Sequence, residues 1–354
     1  MKARIFSLAK AGLPCLGVVF LLASCATAGA IPVAQMERAA EPGWTRAGGL
    51  HPRFNSQMYL TAVGFGNSRQ AAEMDAFRAL VSIFGVDVQA DVRLTEAFRG
   101  AEGGAGAHQV DIGSEIVLGA GMENLVGAEI GDRWDDGRRD HFALAVLNRA
   151  RATQIYSEMI RANQELIATL TNLPSEDRNS FDGFSRYQFA AAIADMNATY
   201  AAVLSAVGSP QYAQGLRTGD DFRRDAQQIA VAIPIGISVR GDRAGRVQGA
   251  FASAFASQGF RTGAGNQRYM LNVDIVLLPT DHQGANVFAR MELSANLVDT
   301  RTGAVLIPFN FDLREGHRTQ SEAEHRAFLV AEQRIEREYG AMLANYLAGL
   351  VPRR

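Results

Sequence analysis

Leu22-Ala23-Ser24-Cys25 carries the most specific chemistry in the chain. A basic start with Lys2, Arg4 and Lys10 is followed by an apolar run from Leu16 to Leu22 and then by small residues, the order of a secretory signal. A small-residue cleavage site that ends on cysteine is a bacterial lipobox. Its thiol is acylated, the chain is cut just before it, and the mature protein hangs from a membrane by lipid. The apolar run is much shorter than the roughly 20 residues that a membrane span needs, so a lipid anchor at Cys25 is expected and a transmembrane helix is not. Cys15 is a poorer acceptor, because Leu13-Pro14 leaves almost no apolar region ahead of it. Ala26, rather than Asp, follows Cys25. That choice points to the outer membrane, with the chain facing the periplasm.

The other groups able to do chemistry are better explained locally. Gly64-Phe65-Gly66 begins like a dinucleotide fingerprint, but Arg69 stands where the third glycine belongs, so a tight turn and a helix cap are expected there. Asp132, Asp135, Asp136 and Asp140 surround a glycine without the alternation of a calcium loop, and Arg133, Arg138 and Arg139 neutralise them. They read as a solvated hairpin tip. His317 and His325 lie eight residues apart with no cysteine to assist, which is not a zinc spacing. His51, His108, His141 and His282 are scattered and read as surface residues. Asp220-Asp221 and Glu322/Glu324 could divide acid and base roles as paired carboxylates. The first pair sits in a polar linker, however, and the second in a capping turn. No G-x-S-x-G elbow and no H-E-x-x-H motif occurs. No catalytic, cofactor-binding or metal-binding residue is therefore expected, and no cofactor.

Composition narrows the field further. Cys15 and Cys25 are the only cysteines, so the fold beyond Cys25 has no disulfide, thiolate metal site or cysteine nucleophile. Lys2 and Lys10 are the only lysines, which removes a Schiff-base lysine and a phosphate-loop lysine. The whole chain carries a net charge of −2, and loss of the three positive charges of the signal leaves −5. No basic patch of the kind that binds nucleic acid is present. About 330 residues follow the signal, enough for two domains.

Periodicity assigns the elements that must carry these residues. Residues 1–24 are the signal, and 25–50, rich in Ala, Gly and Pro, form a flexible tether. Residues 51–150 are expected to fold as a strand, a helix and further strands. The first strand is Tyr59–Val63, ended by Gly64–Gly66. The helix, about Ser68–Phe84, has Ala72, Ala76, Phe77, Leu80, Val81 and Phe84 on one apolar stripe. Val86–Arg93 alternates as a strand, a glycine-rich loop occupies 100–106, and another strand is expected over 110–118. Residues 125–133 and 139–147 form a hairpin across Asp136-Gly137. Residues 151–226 are a helical hairpin broken at Leu173-Pro174. Residues 227–354 repeat the strand-helix-strands pattern. Here a strand at Ile229–Ile237 holds Pro234 at an edge or bulge. A helix spans Arg243–Phe255, and a hairpin turns across residues 299–303. A final helix is opened by the capping box Ser321–Glu324. The class is α+β, with two sheet-and-helix domains bridged by helices, and the repeated order suggests a duplication.

Residues 44–150 resemble the LPP20 family of bacterial lipoproteins. The resemblance rests on Tyr59-Leu60-Thr61-Ala62-Val63-Gly64-Phe65-Gly66 running into the Ala-rich helix, on Val86-Asp87-Val88, and on the hairpin Arg133-Trp134-Asp135-Asp136-Gly137 … His141–Leu147. It implies an outer-membrane or surface lipoprotein, associated with flagellar structures in some relatives, and carries over no catalytic residue. The C-terminal half is topologically similar to envelope lipoproteins whose periplasmic α/β domains assemble with one another or with partners. The expected function is non-enzymatic: a membrane-anchored structural or assembly component of the envelope, palmitoylated at Cys25, that self-associates or docks on protein partners. The alternative is a module that binds peptidoglycan or regulates a cell-wall enzyme.

Overall fold

A computed structural model of the chain describes residues 41–46, 51–84, 125–137, 139–263, 267–283 and 286–351. The signal, Cys25 and most of the tether lie outside these residues. So do the strands expected at 86–93 and 110–118, the 100–106 loop, and His108.

The first sheet has the order β1-β3-β2, with β1 Tyr59–Gly66, β2 Ala128–Asp135 and β3 His141–Asn148, all antiparallel. Helix α1, Arg69–Ser82, begins at Ser68, whose hydroxyl accepts from the Ala71 N–H at 3.2 Å. Its stripe of Ala72, Ala76 and Leu80 is buried against Ala62, Ala143, Ala145 and Leu147. β1 continues through Gly66 rather than ending at Val63, and the glycines answer to packing rather than to a turn. A Cβ on Gly64 would stand 2.0 Å from the Ala76 backbone nitrogen, and one on Gly66 would stand 2.6 Å from that of Ala72. Gly137, at φ 71°, closes the β2–β3 hairpin where it was expected.

Helices α2, Arg149–Thr171, and α3, Phe181–Ala206, form an antiparallel pair around the break at Leu173-Pro174 and a single helical turn, Ser175–Arg178. α3 starts six residues earlier than its apolar stripe suggests, because the Ser180 hydroxyl accepts from the Gly183 N–H at 3.0 Å. One end of the pair, with Tyr156, Ile160, Val203 and Leu204, belongs to the core of the first sheet. The other end, with Leu170, Phe181, Ile193 and Ala194, belongs to the core of the second. Between them Asn163 donates from Nδ2 to Asn197 Oδ1 at 2.8 Å, both residues buried.

Helix α4, Gly219–Ala232, overrides the strand expected from Ile229. Phe222, Ala226, Ile229 and Ala230 continue a three- and four-residue spacing, and all four are buried. Asp221 and Thr218 form a capping box at its start. The strand β4 then covers Ile235–Arg240, with Pro234 just ahead of it.

The second sheet runs β5-β4-β6-β7-β8, with β5 Thr262–Gly263, β6 Tyr269–Gln283, β7 Asn286–Asp299 and β8 Ala304–His317. β4 and β6 are parallel, and they flank helix α5, Arg246–Ser257, in the chain. β5 is parallel to β4 as well, and β6, β7 and β8 make an antiparallel meander longer than its apolar residues alone indicate. Helices α6, Gln320–Arg334, and α7, Gly340–Gly349, are joined by a π turn, Ile335–Tyr339. The wide turn keeps Ile335 and Tyr339 on one face, both fully buried in the second core. The cap of α6 is Thr319, not Ser321: its hydroxyl accepts from the Glu322 N–H at 3.4 Å.

The α+β class with two sheets and several helices holds. The pairing of the described first strands differs between the two sheets. β1 lies antiparallel to the last strand of its sheet, whereas β4 lies parallel to the first strand of its meander.

Two substitutions test this packing. Gly64→Ala pushes a methyl into the α1 backbone and should cost about 1–3 kcal/mol. Trp44 and Trp134 are the only tryptophans; Trp44 lies in the core on the far face of the first sheet and Trp134 packs against it, so the loss is read in urea unfolding followed by intrinsic fluorescence. Asn197→Ala strands the Asn163 amide and should cost about 1–3 kcal/mol. The loss should appear equally by fluorescence and by far-ultraviolet circular dichroism, since the helix pair serves both cores.

Candidate functional site

With one face of the first sheet closed by α1, the opposite face carries Tyr59, Val63 and Phe65 from β1, Phe142, Leu144 and Val146 from β3, and Asp132 and Trp134 from β2. The segment leading into the fold covers one end of it. Trp44, 2% exposed, and Phe54 pack on Leu144 and Val146, and Phe54 meets Tyr59 edge-on at 5.1 Å.

His51 pins this cover in place. Its ring is buried, with Nδ1 accepting from the Arg53 N–H at 3.1 Å and Nε2 against Asp132 Oδ2 at 2.9 Å. An accepting Nδ1 puts a proton on Nε2, so the ring donates to the carboxylate. Burial raises the Asp132 pKa. The His51 hydrogen bond, the Arg133 backbone N–H and the charges of His51 and Arg53 outweigh it, so the carboxyl sits below its ordinary value. The pair spans 81 positions in sequence, and no local pattern announces it.

The other end of the face is an aromatic row. Phe65, 52% exposed, lies 5.2 Å from Phe142, and Phe142 lies 5.5 Å from Trp134. The three residues are in cross-strand register. The indole Nε1 of Trp134 is buried and has no hydrogen-bond partner among the described residues. Arg133, on the reverse face of β2, pairs with Glu73 of α1 at 2.6 Å. An aromatic row of this kind can hold a flat or apolar surface but supplies no nucleophile.

The structure disperses the other candidates. Of the four aspartates, Asp132 serves His51. Asp135 accepts from the Gly137 N–H, and Asp136 accepts from the N–H groups of Arg139 and Asp140. Asp220 and Asp221 cap α4 rather than lie in a linker, and both bind arginines. Glu324 accepts from Gln320 one turn away. His317 ends β8 and His325 lies in α6. Among the described residues no group of three or more His, Cys, Asp or Glu side chains is placed to hold a metal. Among the described residues His51 departs from the expectation of a surface histidine, and His141 and His317 are half-buried. The side chain of His282, like His108 and Cys25, lies outside the description.

Residues 42–148 match the model of the LPP20 lipoprotein family. None of the curated proteins is significantly similar to the chain. Among solved structures, a secreted protein of Helicobacter pylori is 12% identical, covering 79% of this chain and 98% of its own, with a TM-score of 0.39. A Caulobacter crescentus protein described as a lipoprotein is 21% identical over 33% of this chain and 93% of its own, with a TM-score of 0.24. A minor lipoprotein of Acinetobacter baumannii is 10% identical over 32% of this chain and 91% of its own, also with a TM-score of 0.24.

Because the Asp132 carboxyl is depressed in the fold, its contribution is full above the unfolded value of about 3.9 and fades as pH falls through the folded value. Asp132→Asn should melt below the unsubstituted chain at pH 7. At pH 3 the gap should narrow. Fluorescence-detected melting at both pH values checks the sign.

Proposed function

We propose that this chain, whose residues 42–148 match the LPP20 lipoprotein family, is a lipid-anchored envelope lipoprotein with a structural or assembly role and no enzymatic activity. One observation carries the reading: the family match begins shortly after a lipobox that ends on Cys25. Acylation of Cys25 places the protein on a membrane, and Ala26 after it favours the outer membrane, facing the periplasm. The tether enters the fold where Trp44, His51 and Phe54 lock onto the first sheet, so the anchor pulls on a packed β face rather than on a loop. Asp221, Asp195 and Asp136 are occupied in a cap, an ion pair and a turn, which supports a structural use for these acids. The aromatic row of Phe65, Phe142 and Trp134 offers protein partners a surface that the tether cover leaves open.

Cys25→Ser tests the anchor directly. Cells fed an alkyne analogue of palmitate should label the unsubstituted chain and fail to label the variant, which should move from the membrane fraction to the soluble one. Equal labelling of both would overturn the site. Phe65→Ala tests the surface. It should reduce recovery of cross-linked envelope partners while leaving the melting temperature within about 2 °C, as expected for an exposed position. Unchanged recovery would remove the aromatic row from the reading.

A further inference from the structure

Strand β8 is the open edge of the second sheet: among the described residues its one strand partner is β7. Fourteen residues of edge, Ala304–His317, are long enough to template another strand. Pro308 divides that edge. A proline in an edge strand turns its missing N–H to the open side, so residues of the same parity, 310, 312, 314 and 316, present their N–H and C=O groups there. The register from Ile307 to His317 is regular, with no bulge. Pro308 cannot donate, which leaves residues 309–317 as the usable stretch. Leu313 is its centre.

The side chains around that centre are arranged in matching rows. On the solvent face Glu292 of β7 stands directly opposite Asp312, and Arg290 stands directly opposite Arg314, all four exposed. Signs alternate along each strand but repeat across the pair, and like charges directly opposite are destabilising in a ladder. Arg314 also lies 3.8 Å from the centroid of the Phe288 ring, which steadies it on this face.

We infer that β8 pairs antiparallel with β8 of a second copy about a two-fold axis at Leu313, joining two five-stranded sheets into one. In that register residue 312 faces 314 of the other copy, 310 faces 316 and 309 faces 317. Each row then reads Glu292, Asp312, then Arg314 and Arg290 of the second copy. Two acids meet two arginines, and the reverse holds in the neighbouring row. A parallel copy, or an antiparallel copy shifted by two residues, loses this match. The interface is isologous and closes at two chains. The pairing deepens the assembly role proposed above, but its geometry does not require the lipid.

The fold beyond Cys25 contains no cysteine, so cross-linking tests the register cleanly. The full chain carrying Asp312→Cys and Arg314→Cys together should run as a dimer on non-reducing gels after oxidation in cells. These positions would face each other at about 5.5 Å between Cα atoms, within disulfide reach. Ser294→Cys on β7, two strands from the axis, should stay monomeric, and the unsubstituted chain sets the background. In sedimentation of the full chain in detergent, Asp312→Arg or Arg314→Asp alone should weaken the dimer about tenfold or more, because each sets like charges side by side. The double swap, Asp312→Arg with Arg314→Asp, should restore the dimer, a rescue that misfolding cannot mimic. If the unsubstituted chain sediments as a monomer in detergent, and the chain with both cysteine substitutions also stays monomeric while its circular dichroism is native, the inference is overturned. A ladder beyond dimers, or cross-links to a different protein, would overturn it as well. If the dimer forms in a chain recovered from the soluble fraction, the anchor reading fails and this one stands.

Discussion

The buried hydrogen bond between Asn163 and Asn197 is the point on which the arrangement turns. It sits midway along α2 and α3, where the first core gives way to the second. Toward one end the pair contributes Tyr156, Ile160, Val203 and Leu204 to the first sheet; toward the other it contributes Leu170, Phe181, Ile193 and Ala194 to the second. A slip of one helical turn would break this buried polar match and, in the same step, pull both apolar ends out of their cores. A satisfied buried amide pair adds little net stability, but it excludes neighbouring registers because each of them leaves two amides unpaired.

From that axis the two sheets follow unlike rules. The first brings α1 so near β1 that only hydrogen fits on Gly64 and Gly66, and this closeness commits one face wholly to the helix. The opposite face is left for the tether, through Trp44, His51 and Phe54, and for the aromatic row. The second sheet spreads its helices over one face with bulky residues. Phe251, Phe309 and Tyr339 meet edge-on there, and the other face and the β8 edge stay with the solvent. The covered face and the open edge therefore fall on different sheets.

Several elements were legible from residue spacing, and the misses share a cause. α1 and the Asp136-Gly137 hairpin are local: a 3.6-residue stripe and a two-residue turn. The strand expected at Ile229–Ile237 failed because Ile229-Ala230-Val231 has strand composition while its neighbours Phe222 and Ala226 extend a helical period that tertiary burial rewards. Gly64 and Gly66 were read as turn formers because sequence shows that a side chain is missing, not what would occupy its place. His51 was read as a surface residue because its partner, Asp132, is 81 positions away.

The sequence by itself determined the small-residue pattern that ends on Cys25, the absence of later cysteines and of all later lysines, the α+β class, and the helices and turns whose signals lie within a few residues. These depend on composition and short spacing, which the chain carries without folding. Only the tertiary structure decided that one helix pair serves two cores, that the β1 glycines exist for α1, that the tether is latched by His51 to Asp132, and that the acid and arginine rows of β7 and β8 repeat across the strands. Each of these depends on which distant residues become neighbours. That choice is made by the burial of whole faces and by the pairing of the polar groups trapped between them.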